Sequence, residues 1–399
     1  MIAQTTRNDT PVERGAKNGG GAIRIAHVIT GLSVGGAETM LLRLIPALGA
    51  DIESSVICLS DGGPLVERIR ALGTHVEVLA LPSGLGALLG LPRVVKAIRR
   101  LRPNLVHTWL YHADLLGGLA AKRCGVPVIW GLHNSTLDPS RLGYSTVLLI
   151  RLLAGLSRVI PRRIVSCSEV GLRAHVAGGY DGTRMLVIPN GFDTGEFRPD
   201  PALRVEARRA WGVSENQIAV GLVARFNPLK DHHTFLSAAG LALQSEPRLR
   251  FVLYGDNVTP ENARLIAWAS EAHALEACRF LGPEQAVNLR LPGLDLLVSS
   301  STSEAFPLIL GEAMACGVRC VTTDVGDSAA IIQDESRVVP AGNARALADA
   351  ILRAVRLDSQ QQEQQILSGI ESIQARFSLS RIGARFRELY LHSLDKPLT

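Results

Sequence analysis

Residues 24–30 read RIAHVIT, residues 31–38 read GLSVGGAE, and an apolar helical pattern runs over 37–48. A short β-branched run, a glycine turn and an amphipathic stretch make one strand–turn–helix unit. The unit recurs. Runs suited to strands lie at 55–60, 75–80, 105–109, 126–132, 163–168 and 185–189, with helical patterns such as 88–101 between them. This alternation predicts a parallel sheet with helices on both faces. Residues 188–201 (IPNGFDTGEFRPDP) break the rhythm. Three prolines, two glycines and no amphipathic period predict a linker or hinge there. The rhythm restarts with runs at 218–224, 250–255, 278–282, 294–299 and 319–323.

The expected fold class is therefore α/β: two Rossmann-like, doubly wound parallel-sheet domains facing a cleft. The expected segments are a flexible tail over 1–21, a first domain over 22–190, a second over 191–375, and a C-terminal helix over 376–399 that crosses back to the first. Ligands of such sheets sit beyond the carboxyl ends of the strands, so the cleft is the expected active site.

With 399 residues, 47% hydrophobic and 20% charged, the chain has ample core material. Disordered, collagen-like and disulfide-stapled classes are excluded. A net charge of +5 permits an anionic substrate or membrane surface without calling for nucleic acid. The six cysteines form no C-x-x-C pair and read as buried free thiols. No run of 18 apolar residues predicts a transmembrane helix, and the first twenty residues lack the apolar core of a secretory signal.

Chemistry-bearing residues gather at the predicted strand ends. Gly35 and Gly36 open the first helix, where bare backbone and a helix N-terminus suit a diphosphate; a tight strand-to-helix turn is the plainer reading. Residues 31–35 also match G-x-S-x-G, but Ser33 sits mid-loop, which argues against a hydrolase nucleophile. In VARFNPLKD (223–231), Arg225 and Lys230 follow the first strand of the second half. A forked guanidinium and a point charge there suit a diphosphate leaving group without a metal. In SEAFPLILGEAM (303–314), Glu304 precedes a predicted helix, Pro307 suits its first turn, and Glu312 falls about two turns after Glu304. The free backbone N–H groups around Phe306–Ile309, Pro307 having none, suit phosphate oxygens or sugar hydroxyls. One carboxylate then meets a sugar ring and the other a ribose diol, or the pair is a cap and an exposed helix residue. His133 ends the fifth strand, placed for a sugar hydroxyl or a proton. His107 and His112 flank Trp109 and read as turn or acceptor-pocket lining. No D-x-D and no His/Cys cluster with metal spacing occurs, so no metal and no cofactor is expected.

Taken in order, GGAE, GLHN, PNGFD, VARFNPLKD and EAFPLILGE closely resemble the retaining glycosyltransferases of family 4, of GT-B fold, over about residues 23–390. The resemblance implies a nucleotide-diphosphate sugar as donor substrate, a UDP- or GDP-sugar expected. It makes 22–190 the acceptor-side domain and 191–375 the donor domain. It implies that Gly35, Gly36, Arg225 and Lys230 take the diphosphate. Glu304 and His133 would meet the donor sugar, Phe306, Pro307 and Leu308 the sugar and phosphate, and Glu312 the ribose. Asn190 and Gly191 would lie at the hinge by the cleft. One departure stands out: many relatives read Lys-Gly where this chain reads Lys230-Asp231.

The resemblance thus implies a metal-independent transfer to an acceptor hydroxyl in extracellular polysaccharide, O-antigen or other glycolipid assembly. A nucleotide-sugar epimerase and a non-catalytic partner subunit are the alternatives. Residues 85–102 and 141–163 mix apolar and basic side chains. They fit either core-packed helices with solvated basic faces or interfacial helices at an anionic membrane. The second reading implies a lipid-linked oligosaccharide acceptor and a cytoplasmic protein peripheral on the inner membrane face.

Overall fold

The computed structural model describes residues 22–82, 89–135, 137, 143–284 and 286–395. The tail expected over 1–21, and parts of the two apolar–basic stretches, lie outside these residues. The first half alternates strands β1 (Ile23–Ile29), β2 (Ile52–Cys58), β3 (His75–Val78), β4 (Leu105–Trp109), β5 (Val128–Leu132), β6 (Arg163–Ser166) and β7 (Met185–Val187) with helices. These are α1 (Gly36–Ala47), α2 (Leu65–Ala71), α3 (Leu91–Leu101), α4 (Tyr111–Arg123), α5 (Tyr144–Leu156) and α6 (Glu169–Ala177). The second half opens with helix α7 (Pro201–Trp211). Its strands are β8 (Ile218–Val223), β9 (Leu249–Tyr254), β10 (Cys278–Phe280), β11 (Leu296–Ser299), β12 (Arg319–Thr323) and β13 (Val338–Val339). Between and after them lie α8 (His232–Leu243), α9 (Ala263–Glu271), α10 (Val287–Arg290), α11 (Leu308–Ala315), α12 (Ser328–Ile332) and α13 (Ala344–Val355). Two last helices follow, α14 (Ser359–Phe377) and α15 (Leu379–Leu394).

All strand pairings are parallel. The sheets run β3-β2-β1-β4-β5-β6-β7 and β10-β9-β8-β11-β12-β13. Each order reverses once, between β1 and β4 and between β8 and β11, and these reversals are the switch points where such sheets bind ligands. Residues 25–29 of β1 are buried without alternation, as a strand covered on both faces requires. β13 escaped the sequence reading because a two-residue run carries no period.

The final helix returns to the first half. Ile382, Phe386, Leu389 and Tyr390 recur at helical spacing and bury among residues of α1 and β1. Each such side chain is worth about 1.5–3 kcal/mol when fully buried. His107 belongs to this core. It is buried within β4, its Nδ1 is 2.8 Å from the Tyr390 hydroxyl, and it does not line the cleft as expected. The strand continues two residues past it, and α15 covers its side chain. His112, on α4, is exposed.

The chain passes between the halves twice, side by side. Phe192 N–H donates to the Phe377 carbonyl at 2.8 Å, and Leu379 N–H donates to the Phe192 carbonyl at 2.9 Å. The Phe192 ring lies directly over Gly311 of α11, where any side chain would collide with it. It also stacks on Phe306 at 5.9 Å. The six cysteines are all free, and all but Cys124 are buried. Burial pushes the thiols of Cys167, Cys278, Cys316 and Cys320 up to about 12, away from thiolate chemistry.

Candidate active site

At the carboxyl end of β1 the loop over 30–35 is held by the loop after β2. Leu32 N–H donates to the Gly62 carbonyl, and Leu65 N–H to the Leu32 carbonyl, both at 3.1 Å. Gly35 caps α1 in an extended conformation, and no other group lies within 4 Å of where a side chain on Gly36 would begin. There is open space at Gly36, while the Glu38 carboxylate lies against Gly35. Ser33 is exposed and three residues ahead of α1, away from any helix mouth. Glu38, in the first turn, is drawn up by burial. Its own backbone N–H and the Arg225 charge from the other half pull the opposite way.

Arg225 follows β8. Its segment is fixed by Ala224 N–H on the Tyr254 carbonyl and Phe226 N–H on the Asp256 carbonyl, each 2.8 Å. The guanidinium is exposed and, among the described residues, carries no ion pair. Lys230 ends a single 3₁₀ turn that Asn227 caps through Leu229 N–H at 2.9 Å. Thr302 N–H donates to the Leu229 carbonyl at 2.8 Å, which ties this turn to the loop after β11. Lys230 Nζ consequently meets Glu304 Oε1, which also accepts from Ser301 Oγ at 2.8 Å. Asp231 takes the left-handed conformation (φ 46°, ψ 57°) that glycine adopts most readily. Its carboxylate accepts from Thr234 N–H at 3.1 Å and caps α8. The departure from Lys-Gly thus keeps the backbone shape and adds a helix cap.

The 304–312 segment differs from expectation in one respect. Pro307 is the N-cap of α11, not part of its first turn, its ψ of 103° being extended rather than helical. Glu304 stays in the loop, and Glu312 lies only about one turn into the helix. The Phe306 side chain is buried in the cluster with Phe192 and Phe377, so its backbone is what remains for a ligand. Leu308 and Ile309 present first-turn N–H groups that have no intrahelical acceptor. Gly326, at φ 55°, passes so close to the Glu304 and Ala305 carbonyls that a side chain would overlap them.

Three contacts join the halves around this segment. Ser135 Oγ, two residues after His133, donates to the Glu304 carbonyl. Asp327 accepts from Glu169 N–H at 2.9 Å and Val170 N–H at 3.1 Å, at the start of α6. Arg43 of α1 pairs with Glu312 at 2.7 Å. His133 is half-buried and stacked on Trp109, centroids 5.0 Å apart. Burial lowers its imidazole to about 4, so it is neutral at neutral pH. Asn190 is buried, and Gly191 N–H lies 3.2 Å from Met40 Sδ of α1. Lys230 and Glu304 thus meet directly, and Arg225 lies near Glu38 in the first turn of α1, while His133 stacks on Trp109.

Known proteins resemble this chain in sequence and in fold. A profile described as Glycosyltransferase Family 4 matches residues 34–196, and one described as Glycosyl transferases group 1 matches 204–368. The chain belongs to the family 4, group 1 glycosyltransferases. EpsF of Bacillus subtilis (strain 168) is 27% identical to this glycosyltransferase over 311 residues, covering 75% of this chain and 79% of EpsF. The Escherichia coli UDP-Gal:alpha-D-GlcNAc-diphosphoundecaprenol alpha-1,3-galactosyltransferase is 24% identical over 326 residues, covering 78% and 82%. Anabaena HepE, crystallised in complex with UDP, superposes with a TM-score of 0.82 at 22% identity, over 93% of this chain and all of HepE. That likeness establishes the GT-B fold.

Of the contacts that join the glycosyltransferase's halves, sequence reading missed Arg43, Ser135 and Asp327. Ser135 and Asp327 follow strand ends and carry that positional signal. Arg43 is one basic residue inside an amphipathic helix, and nothing in the sequence marks it.

Proposed function

We propose that this enzyme moves a sugar from a nucleotide-diphosphate sugar to an acceptor hydroxyl, without a metal and with retention, in polysaccharide or glycolipid assembly. The observation that carries the reading is the meeting of Lys230 with Glu304 at the second switch point. Arg225 and Lys230 supply the charge that a departing diphosphate needs, in place of a metal. Glu304 stands where the donor sugar is expected, and Glu312 where the ribose is. His133, neutral, hydrogen-bonds the sugar. Residues 22–190 form the acceptor side and 191–375 the donor side. Retention rests on the resemblance to family 4.

UDP in the HepE crystals and the UDP-galactose of the E. coli relative favour a UDP-sugar donor. The diphosphoundecaprenol acceptor named for that relative favours a lipid-linked acceptor. Among the described residues no helix is long and apolar enough to cross a membrane. Helix α5 and the turn after it instead expose Tyr144 (87%), Leu148 (60%), Leu152 (50%) and Val159 (58%) along one face. Arg151 and Arg158 flank that face. An apolar stripe edged with cations fits peripheral contact with anionic lipid. Leu148→Ser with Leu152→Ser should cut co-sedimentation with phosphatidylglycerol vesicles; unchanged binding would remove the membrane from the proposal.

The main test is a thermal-shift screen with UDP-, GDP- and ADP-sugars on wild type and Lys230→Ala. One nucleotide class should raise Tm in the wild type only. Proton NMR of the product then reads the anomeric configuration, and inversion would refute retention. Free isomerised sugar without transfer would point to epimerisation.

A further inference from the structure

Arg43 reaches Glu312 from the opposite half of the molecule. It sits on α1, eight residues after Gly35, and its Nη2 is 2.7 Å from Glu312 Oε1 on α11. The guanidinium lies over the Phe197 ring, 5.1 Å from its centroid, in the segment that joins the halves. Both side chains are largely shielded, at 13% and 10% exposed. The bond engages Oε1, and Arg43 Nη1 is buried with no acceptor, so the pair is single rather than forked.

Glu312 is the residue assigned above to the ribose. A carboxylate accepts from two ribose hydroxyls only when ionised. Burial is the larger effect and holds the carboxyl above its usual range, and the Arg43 charge and hydrogen bond pull it back toward ionisation. Of the elements packed around α11, only α1 with Arg43 and the joining segment with Glu196 bring a charge that bears on Glu312 among the described residues; Cys316 follows on its own helix. Glu196 works against ionisation, which leaves Arg43 as the sole favourable charge there.

We infer that Arg43 is a positioning residue for donor binding: it holds Glu312 ionised and aimed at the ribose, and does so only when the two halves are closed. The inference rests on the reading of Glu312 as the ribose ligand. It couples nucleotide affinity to the meeting of α1 and α11, because the counter-charge comes from the half that does not carry the carboxylate.

The test is calorimetric titration of UDP and GDP into wild type, Arg43→Met, Arg43→Lys and Glu312→Gln at pH 7.5 and 6.0. Arg43→Met keeps the length and apolar stem of the side chain, and circular dichroism checks its fold. It should weaken the nucleotide about tenfold or more at pH 7.5, the scale of a lost charge-assisted hydrogen bond. The deficit should widen at pH 6.0, and Arg43→Lys should recover most of the affinity. A role confined to packing would give a pH-independent deficit that lysine does not rescue, and would overturn the inference. Arg43→Met binding like wild type at both pH values would overturn it too, while leaving the ribose assignment intact if Glu312→Gln loses binding. If Glu312→Gln binds like wild type, the ribose assignment itself fails and the inference with it.

Discussion

Asp327 closes the cleft by capping a helix of the opposite half: its two carboxylate oxygens accept from Glu169 and Val170 N–H at 2.9 and 3.1 Å. The start of α6 is an anion site occupied from across the seam. Asp327→Ala removes that cap. Caps contribute about 0.5–2 kcal/mol, so the urea midpoint should fall by an equivalent amount. Because the bond spans the halves, the radius of gyration in solution scattering should also rise. An unchanged radius would show that the remaining contacts hold the halves alone.

The two cations of the proposed diphosphate site differ in their surroundings and so in how they should respond to removal. Arg225 is exposed and unpaired among the described residues, whereas Lys230 is paired with Glu304. Arg225→Ala should weaken nucleotide binding roughly tenfold, with little change in Tm of the free protein. Lys230→Ala should weaken binding at least as much and also release Glu304, so kcat falls with it. Binding isotherms and steady-state rates on the same preparations separate the two cases.

Asp231 offers a test of the Lys-Gly departure. Asp231→Gly relieves a left-handed conformation worth roughly 1 kcal/mol and loses a cap of similar size. The expected net change is within about 0.5 kcal/mol. Asp231→Ala loses the cap and keeps the strain, and should cost about 1–2 kcal/mol. Chemical denaturation of the three proteins gives the comparison.

Acid sensitivity should begin at a histidine range, above that of the carboxylates. Burial lowers His27 to about 3, and His133 and His232 to about 4. Unfolded, these groups bind protons near 6.5, so between that value and the folded ones the unfolded chain holds more protons. Stability is therefore full above about pH 6.5 and declines as pH falls toward 4. The slope is at most about 1.4 kcal/mol per pH unit for each histidine. The buried Asp114 carboxyl, drawn well above its usual range, slopes the other way and blunts the effect. Denaturation midpoints at pH 7.5, 6.5 and 5.5 should fall in that order, and less so for His232→Gln.

The doubly wound order was legible because buried parallel strands leave unbroken apolar runs, as 218–223 and 251–254 do. The placing of Gly35, Arg225, Lys230 and Glu304 in the segments that follow strands was legible too. What the sequence concealed depends on distance in space. Arg43 and Glu312 are 269 positions apart. The burial of His107 depends on Tyr390, in a helix of the far terminus. The helix starts at Leu308, one residue beyond the Pro307 that the sequence places in its first turn.

The return of α15 to the first half has a consequence for synthesis. The second half is contiguous along the chain, and its core can form as soon as α14 has left the ribosome. The first half, translated earlier, lacks Ile382, Phe386 and Tyr390 until the last helix emerges. The half that is made first is thus completed last. Until then it presents an apolar groove beside α1, which a chaperone must shield or the nascent chain must tolerate. Stop codons placed just before Leu379 should yield a chain whose second half resists protease while its first half is digested.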